Sequence, residues 1–291
     1  MRATLAFLAA IFGTLLLAAL LAYPVWLVVH ALVPEWAFNR VAGRFWQLLL
    51  LIGLLFALRR LGLRGRQDWG WGLPRPEFLR QAGAGLAIGV ATMLPMTIAM
   101  FALGILRLRP QFGVPMLLDA IVGGLLTGLV VAIVEETFFR GLMYQAVERE
   151  SGFLAAAGST SIVYAAIHFL ARTKIPADTV AVDSGLKLLG DALDNFSNPL
   201  PVLDSFATLV LVGLLLALVR RRTGAIAAGL GLHMGWVFVI KATIATTRVN
   251  ADTPASFLVG GFDGFTGWLV AGWAAILIAI GWSRGWLRPA R

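Results

Sequence analysis

The chain contains no cysteine. A disulfide framework, a thiolate metal site and a cysteine nucleophile are thereby excluded, so its chemistry must use oxygen and nitrogen groups. Charge is also scarce: 13% of the 291 residues are Asp, Glu, Lys or Arg, while 59% are hydrophobic and mean hydropathy is +0.84. That balance excludes an ordinary soluble domain. Histidine occurs three times. There is no GxxxxGK, and GAGLAIG from Gly83 has the wrong spacing for a dinucleotide loop, so phosphate-cradling motifs are missing too. Neither internal repeats nor low-complexity tracts are present.

What is abundant is apolar sequence in long runs. Eight stretches, roughly residues 3–33, 45–58, 82–106, 115–149, 152–171, 205–219, 224–246 and 265–283, read as helices able to cross or enter a bilayer. The fold expected is all-α, a polytopic membrane helix bundle of about eight transmembrane helices. Pro24 should kink the first helix, and the pairs Gly85/Gly89 and Gly124/Gly128 suit helix-packing faces. The longest polar stretch, Arg172 to Asp204, holds a KLLGDALDNF piece that reads as an interfacial helix or a solvated loop, the loop being favoured.

The net charge of +9 does not indicate nucleic acid, because the arginines flank apolar runs, where lipid headgroups and topology account for them. One side of the bundle collects Arg2, Arg59, Arg60, Arg64, Arg66, Arg75, Arg80, Arg140, Arg149, Arg220, Arg221, Arg222, Arg284, Arg288 and Arg291. The other collects Arg40, Arg44, Arg107, Arg109, Arg172, Lys174, Lys187 and Arg248. The positive-inside rule places the first side, with both termini, in the cytoplasm.

Into one of these runs is set Val134-Glu135-Glu136-Thr137-Phe138-Phe139-Arg140-Gly141. Charges at membrane depth are costly and must be paired, protonated, metal-bound or in a polar cavity. On a helix Glu136 and Arg140 are four apart and can pair. Glu135 points about 100° away and needs a partner from another helix. Two histidines, His168 and His233, lie deep in other runs, whereas His30 sits near a helix end as an interfacial residue. If residues 115–149 and 152–171 form a hairpin turning near Glu150 and Ser151, His168 falls within about one turn of Glu136's level. Glu135, His168 and His233 could then hold a divalent metal with an open position for water. Alternatively, Glu135 takes a proton directly from a histidine-held water. These residues admit both.

Glu135-Glu136 to Arg140 has the form EExxxR, Tyr164 to His168 resembles an FxxxH motif, and His233 begins a third. Together they resemble the intramembrane CAAX-protease and bacteriocin-processing family, relatives of the type II prenyl-protein endopeptidase. The resemblance spans residues 115–246, leaving 1–114 as N-terminal helices and 247–291 as a last helix and basic tail. It implies peptide-bond hydrolysis on a membrane-associated substrate in a bacterial inner membrane. It also implies a divalent metal, zinc in the first instance, on Glu135, His168 and His233, with Glu136 held by Arg140. Two positions depart from the pattern. Tyr164 replaces the usual phenylalanine, and Val237 stands where Asn or Asp is usual, removing a donor to the developing oxyanion that Trp236 could replace through its indole N–H. A protease-like scaffold or bacteriocin-immunity protein is the rival reading, and an ion-coupled transporter a third.

Overall fold

The computed structural model describes residues 2–60, 62–63, 65–169, 174–197 and 200–285. Arg64, Arg172, Arg288 and Arg291 of the orientation argument lie outside these. The described chain is helical, with one short two-stranded ribbon. Among the described residues, five helical stretches are long and apolar enough to cross a membrane: Thr4–Leu32, Arg75–Ala102, Val114–Ile167, Leu200–Thr223 and Ala227–Thr246. The protein is an integral membrane helix bundle. Eight expected spans become five because Val114–Ile167 counts as one although its backbone leaves helical geometry at Gly152 (φ 80°, ψ 176°). The apolar helix Trp268–Ser283 is shorter, and the helix Phe38–Arg60 carries arginines at both ends.

The chain forms two compact units. The first comprises Met1–Arg64 and Ala165–Leu200. Here α1 (Arg2–Leu32), which continues through Pro24, packs on α2 (Phe38–Arg60). Trp26 lies edge-on to Phe38, over Ala22 and Val41. Residues 184–197, expected as loop, instead form a helix (Ser184–Ser197, α6 in chain order) against α1. Leu188 is buried while Leu186 and Leu193 face outward. Its apolar residues are spaced so that the helix keeps one packing face.

The second unit comprises Gly65–Tyr164 and Pro201–Arg291. It contains α3 (Arg75–Ala102), α4 (Val114–Glu135), most of α5 (Tyr144–Ile167), α7 (Leu203–Thr223), α8 (Ala227–Thr246) and α9 (Trp268–Ser283). α8 packs against both α3 and α4. α4 shows how a membrane helix reverses the soluble pattern. Every fourth residue on its buried face is small, Ala120, Gly124, Gly128 and Ala132, while Leu118, Val122, Leu126, Val130 and Val134 stay exposed on the other. Apolar side chains turn toward lipid, and small ones let backbones approach. A Cβ on Gly128 would lie 2.7 Å from the Met234 carbonyl oxygen, and one on Gly235 would lie 2.7 Å from that of Leu86. Both expected glycine pairs therefore serve packing onto α8. Gly235→Ala must push backbone rather than a side chain, and should cost about 1–3 kcal/mol. Thermal unfolding in detergent checks this, with Gly123→Ala, whose new Cβ would have no neighbour within 4 Å, expected to leave the melting temperature unchanged.

Candidate active site

The site is built where α4 ends. Beyond Glu135 the helix widens into a π-helical segment, Glu136–Met143, in place of the α-helix expected there. Its side chains are almost all buried, Glu136 and Arg140 completely. π-turns are rare, cost hydrogen-bond geometry and occur most often at functional sites. After the break at Gly152, α5 returns to the level of the π segment, shown by the edge-on contact of Tyr164 with Phe139 at 5.3 Å. The break falls one residue after the expected turn.

Within this setting Arg140 Nη1 donates to Glu136 Oε1 at 3.3 Å, the pairing expected from their spacing. Its Nη2 donates to the Gly213 carbonyl on α7, also at 3.3 Å, and its guanidinium lies 4.7 Å from the Tyr164 ring centroid. The hydroxyl-bearing ring at position 164 thus forms a cation–π lid on the buried charge.

His233 touches both glutamates. Its Nδ1 lies 2.9 Å from Glu136 Oε1 and its Nε2 3.8 Å from Glu135 Oε2. With Nδ1–H donating to the arginine-paired carboxylate, the neutral imidazole presents the Nε2 lone pair to Glu135. Glu135 Oε2 is buried without a hydrogen-bond partner, although its side chain is 23% exposed. Two acceptors therefore face each other across a short gap at the edge of the buried network. His168 lies in the turn just past α5, half-buried, four residues beyond Tyr164. It falls in the first compact unit. The structure brings together Glu135, Glu136, Arg140, Tyr164 and His233 within the second.

Several contacts escape sequence reasoning. Arg220, read as one of a surface cluster, is buried: its Nε donates to the Arg140 carbonyl at 3.1 Å and its Nη2 to Gln145 Oε1 at 3.1 Å. It thereby satisfies a carbonyl of the π segment. Trp71 Nε1 donates to Thr137 Oγ1 at 3.1 Å, and its ring stacks on Phe78 at 4.8 Å. The same loop runs so close to Gly141 that a Cβ there would clash with the Trp69 carbonyl group. Gly70, at φ 77°, accepts through its carbonyl from the Ile226 N–H. Asp68 pairs with Arg149. Residues 65–74 thus strap the π segment to the start of α8. Trp71→Phe keeps the stack and removes one hydrogen bond, worth about 0.5–1.5 kcal/mol. It should speed limited proteolysis within residues 65–74 with little change in the melting temperature.

One substitute suggested from sequence fails: Trp236 Nε1 does not face the glutamates but donates to Thr92 Oγ1 at 2.9 Å. Its direction is fixed by packing of α8 on α3, so it does not replace the donor lost at Val237. As for a metal, Glu135 Oε2 and His233 Nε2 are oxygen and nitrogen donors of the right kind. Among the described residues, however, no three His, Asp or Glu side chains form a group that could hold an ion.

Residues 118–239 match a family model described as type II CAAX prenyl endopeptidase Rce1-like. Over these residues, less than half of the chain, the protein is similar to that family. The match holds every residue of the constellation just described except Trp71 and the strap, and it supports a CAAX-type intramembrane protease in general terms. No curated protein and no solved structure matches the chain. Within the matched residues the glutamate pair, its arginine and His233 occupy one small volume, while α1–α3 and α9 lie outside them.

Proposed function

We propose that the protein is an intramembrane endopeptidase that hydrolyses a peptide bond of a membrane-associated substrate with a water activated by Glu135. The observation that carries this is the division of labour around His233, one nitrogen on a committed glutamate and the other facing an uncommitted one. A water molecule has two O–H groups, and Glu135 Oε2 and His233 Nε2 offer two acceptors 3.8 Å apart. Bound so, its lone pairs point away toward a substrate carbonyl. Glu135 then takes the proton as oxygen attacks and delivers it to the leaving amine. Glu136, Arg140 and Arg220 position the imidazole and the π segment. His168 enters this reading on sequence alone, as a second holder of the water.

A metal-bearing form is the other reading. Atoms bound tetrahedrally to one zinc ion lie about 3.4 Å apart, and the 3.8 Å separation of Glu135 Oε2 and His233 Nε2 suits an ion as well as a bridging water. Glu135 and His233 would be two of its ligands, and His168 comes to it as a third from the sequence resemblance alone. In either form the site operates in a bacterial inner membrane with both termini cytoplasmic, the orientation that the arginine clusters support. Bacteriocin maturation belongs to the same reading of the family. Val237 is what supports the rival, an inactive scaffold or immunity protein.

Cleavage of a membrane-anchored peptide library in nanodiscs tests the proposal, with wild type compared to Glu135→Gln and His168→Ala, each with and without chelator. Loss in Glu135→Gln supports hydrolysis at this site. Loss on chelation, restored by zinc, selects the metal form. Equal silence of folded wild type and variants overturns both in favour of the scaffold.

A further inference from the structure

Away from the glutamates, the ends of α3 and α8 are joined by a two-stranded antiparallel ribbon, β1 (Leu106–Leu108) and β2 (Thr247–Val249). Its register sets Arg107 directly opposite Arg248. The hydrogen bonds from Asn250 N to Ile105 O and from Arg109 N to Thr246 O extend the ladder at both ends. By alternation the arginines form a hydrogen-bonded pair, with α-carbons about 5.5 Å apart and side chains on one face. Arg109, two residues on, shares that face. Its Nη2 donates to the Ile244 carbonyl at 3.2 Å, while its Nε is buried without a partner.

Like charges directly opposite destabilise a ribbon. Here two exposed arginines and a third behind them have no carboxylate within ion-pair distance among the described residues. Arginine forks fit phosphate oxygens in bidentate fashion. The surroundings indicate where such a phosphate would come from. Leu106 and Thr247 anchor the other face of the ribbon, whereas Leu108 and Val249 are 48% and 42% exposed, with Leu103 and Phe112 also exposed nearby in sequence. Two membrane-crossing helices end here, so these apolar groups lie at the boundary where acyl chains meet headgroups. His233 is about 20 Å away along α8, which makes this a separate site.

We propose that Arg107, Arg109 and Arg248 bind the phosphate of a membrane phospholipid at this end of the bundle. The full chain in neutral detergent, titrated with short-chain phosphatidylglycerol and followed by native mass spectrometry, should show a bound lipid. In the variant carrying Arg107→Gln and Arg248→Gln, affinity should fall at least about tenfold, as expected for losing one charged hydrogen-bonding group or more. Arg107→Lys with Arg248→Lys keeps the charge without the forks and should fall between. Unchanged melting of each variant without lipid establishes that the fold is intact. Equal binding by wild type and the glutamine variant overturns the proposal, as does equal binding of uncharged diacylglycerol. Displacement of the lipid by an equal concentration of inorganic phosphate would assign the arginines to a soluble anion and overturn the lipid source.

Discussion

Arg140→Leu should leave the second unit unable to hold its native packing in detergent at moderate temperature. Glu136 is completely buried, and Arg140 is its cationic partner. Removing one member of a buried pair strands the other charge and costs about 3–5 kcal/mol. Leucine fills much of the volume but cannot donate to the Gly213 carbonyl, so this tie to α7 is lost as well. The decisive comparison is Arg140→Leu combined with Glu136→Leu. Replacing both charges by apolar groups often restores or exceeds the original stability. The double variant should therefore recover most of the lost melting temperature. It should not recover cleavage, because His233 Nδ1 would have lost the carboxylate that fixes its tautomer. If the single variant melts like wild type, the pair is not the support described.

Glu135→Gln should have the opposite profile. Its Oε2 has no hydrogen-bond partner, so the amide breaks nothing and removes a desolvated charge. Melting should stay the same or rise slightly. Loss of a positioned general base lowers turnover by about 10²–10⁴-fold, with the loss in kcat and little change in KM. Steady-state kinetics beside a melting curve check both halves. A fall in stability matching the fall in rate would show that Glu135 is structural and would remove the basis of the proposed chemistry.

Comparing these two residues also shows which features were legible in the sequence. The Glu136–Arg140 pair could be read because both partners lie on one local stretch, and their spacing brings them together in either an α- or a π-turn. That His233 would reach into this region was readable from its depth. That it would bond the committed glutamate as well as face the free one was not, because the rotation of α8 is set by tertiary contact. A Cβ at Gly229 would come within 3.3 Å of Glu136 Oε2, so α8 presents bare backbone to the carboxylate. Arg220 was hidden by its neighbours. In a run of three arginines at a helix end the positive-inside pattern explains all of them alike, yet only the first turns inward to the π segment. The π-turn itself has no local residue signature. The helical bundle was legible throughout, because lipid-length apolar runs leave the backbone few alternatives.

The widened turn makes the site a device metered by chain length. An α-helix advances each residue by about 100°. A π-turn advances each residue by less, so if Glu136–Met143 closed into ordinary α geometry at its present length, everything beyond it would swing round the axis relative to Glu135. Tyr144 and the approach to α5 would then face away from Arg220, and the strap would meet a different side of the helix. A change that let this segment close as an ordinary α-helix would therefore keep the membrane helices while misplacing Tyr144 and α5 relative to Glu135.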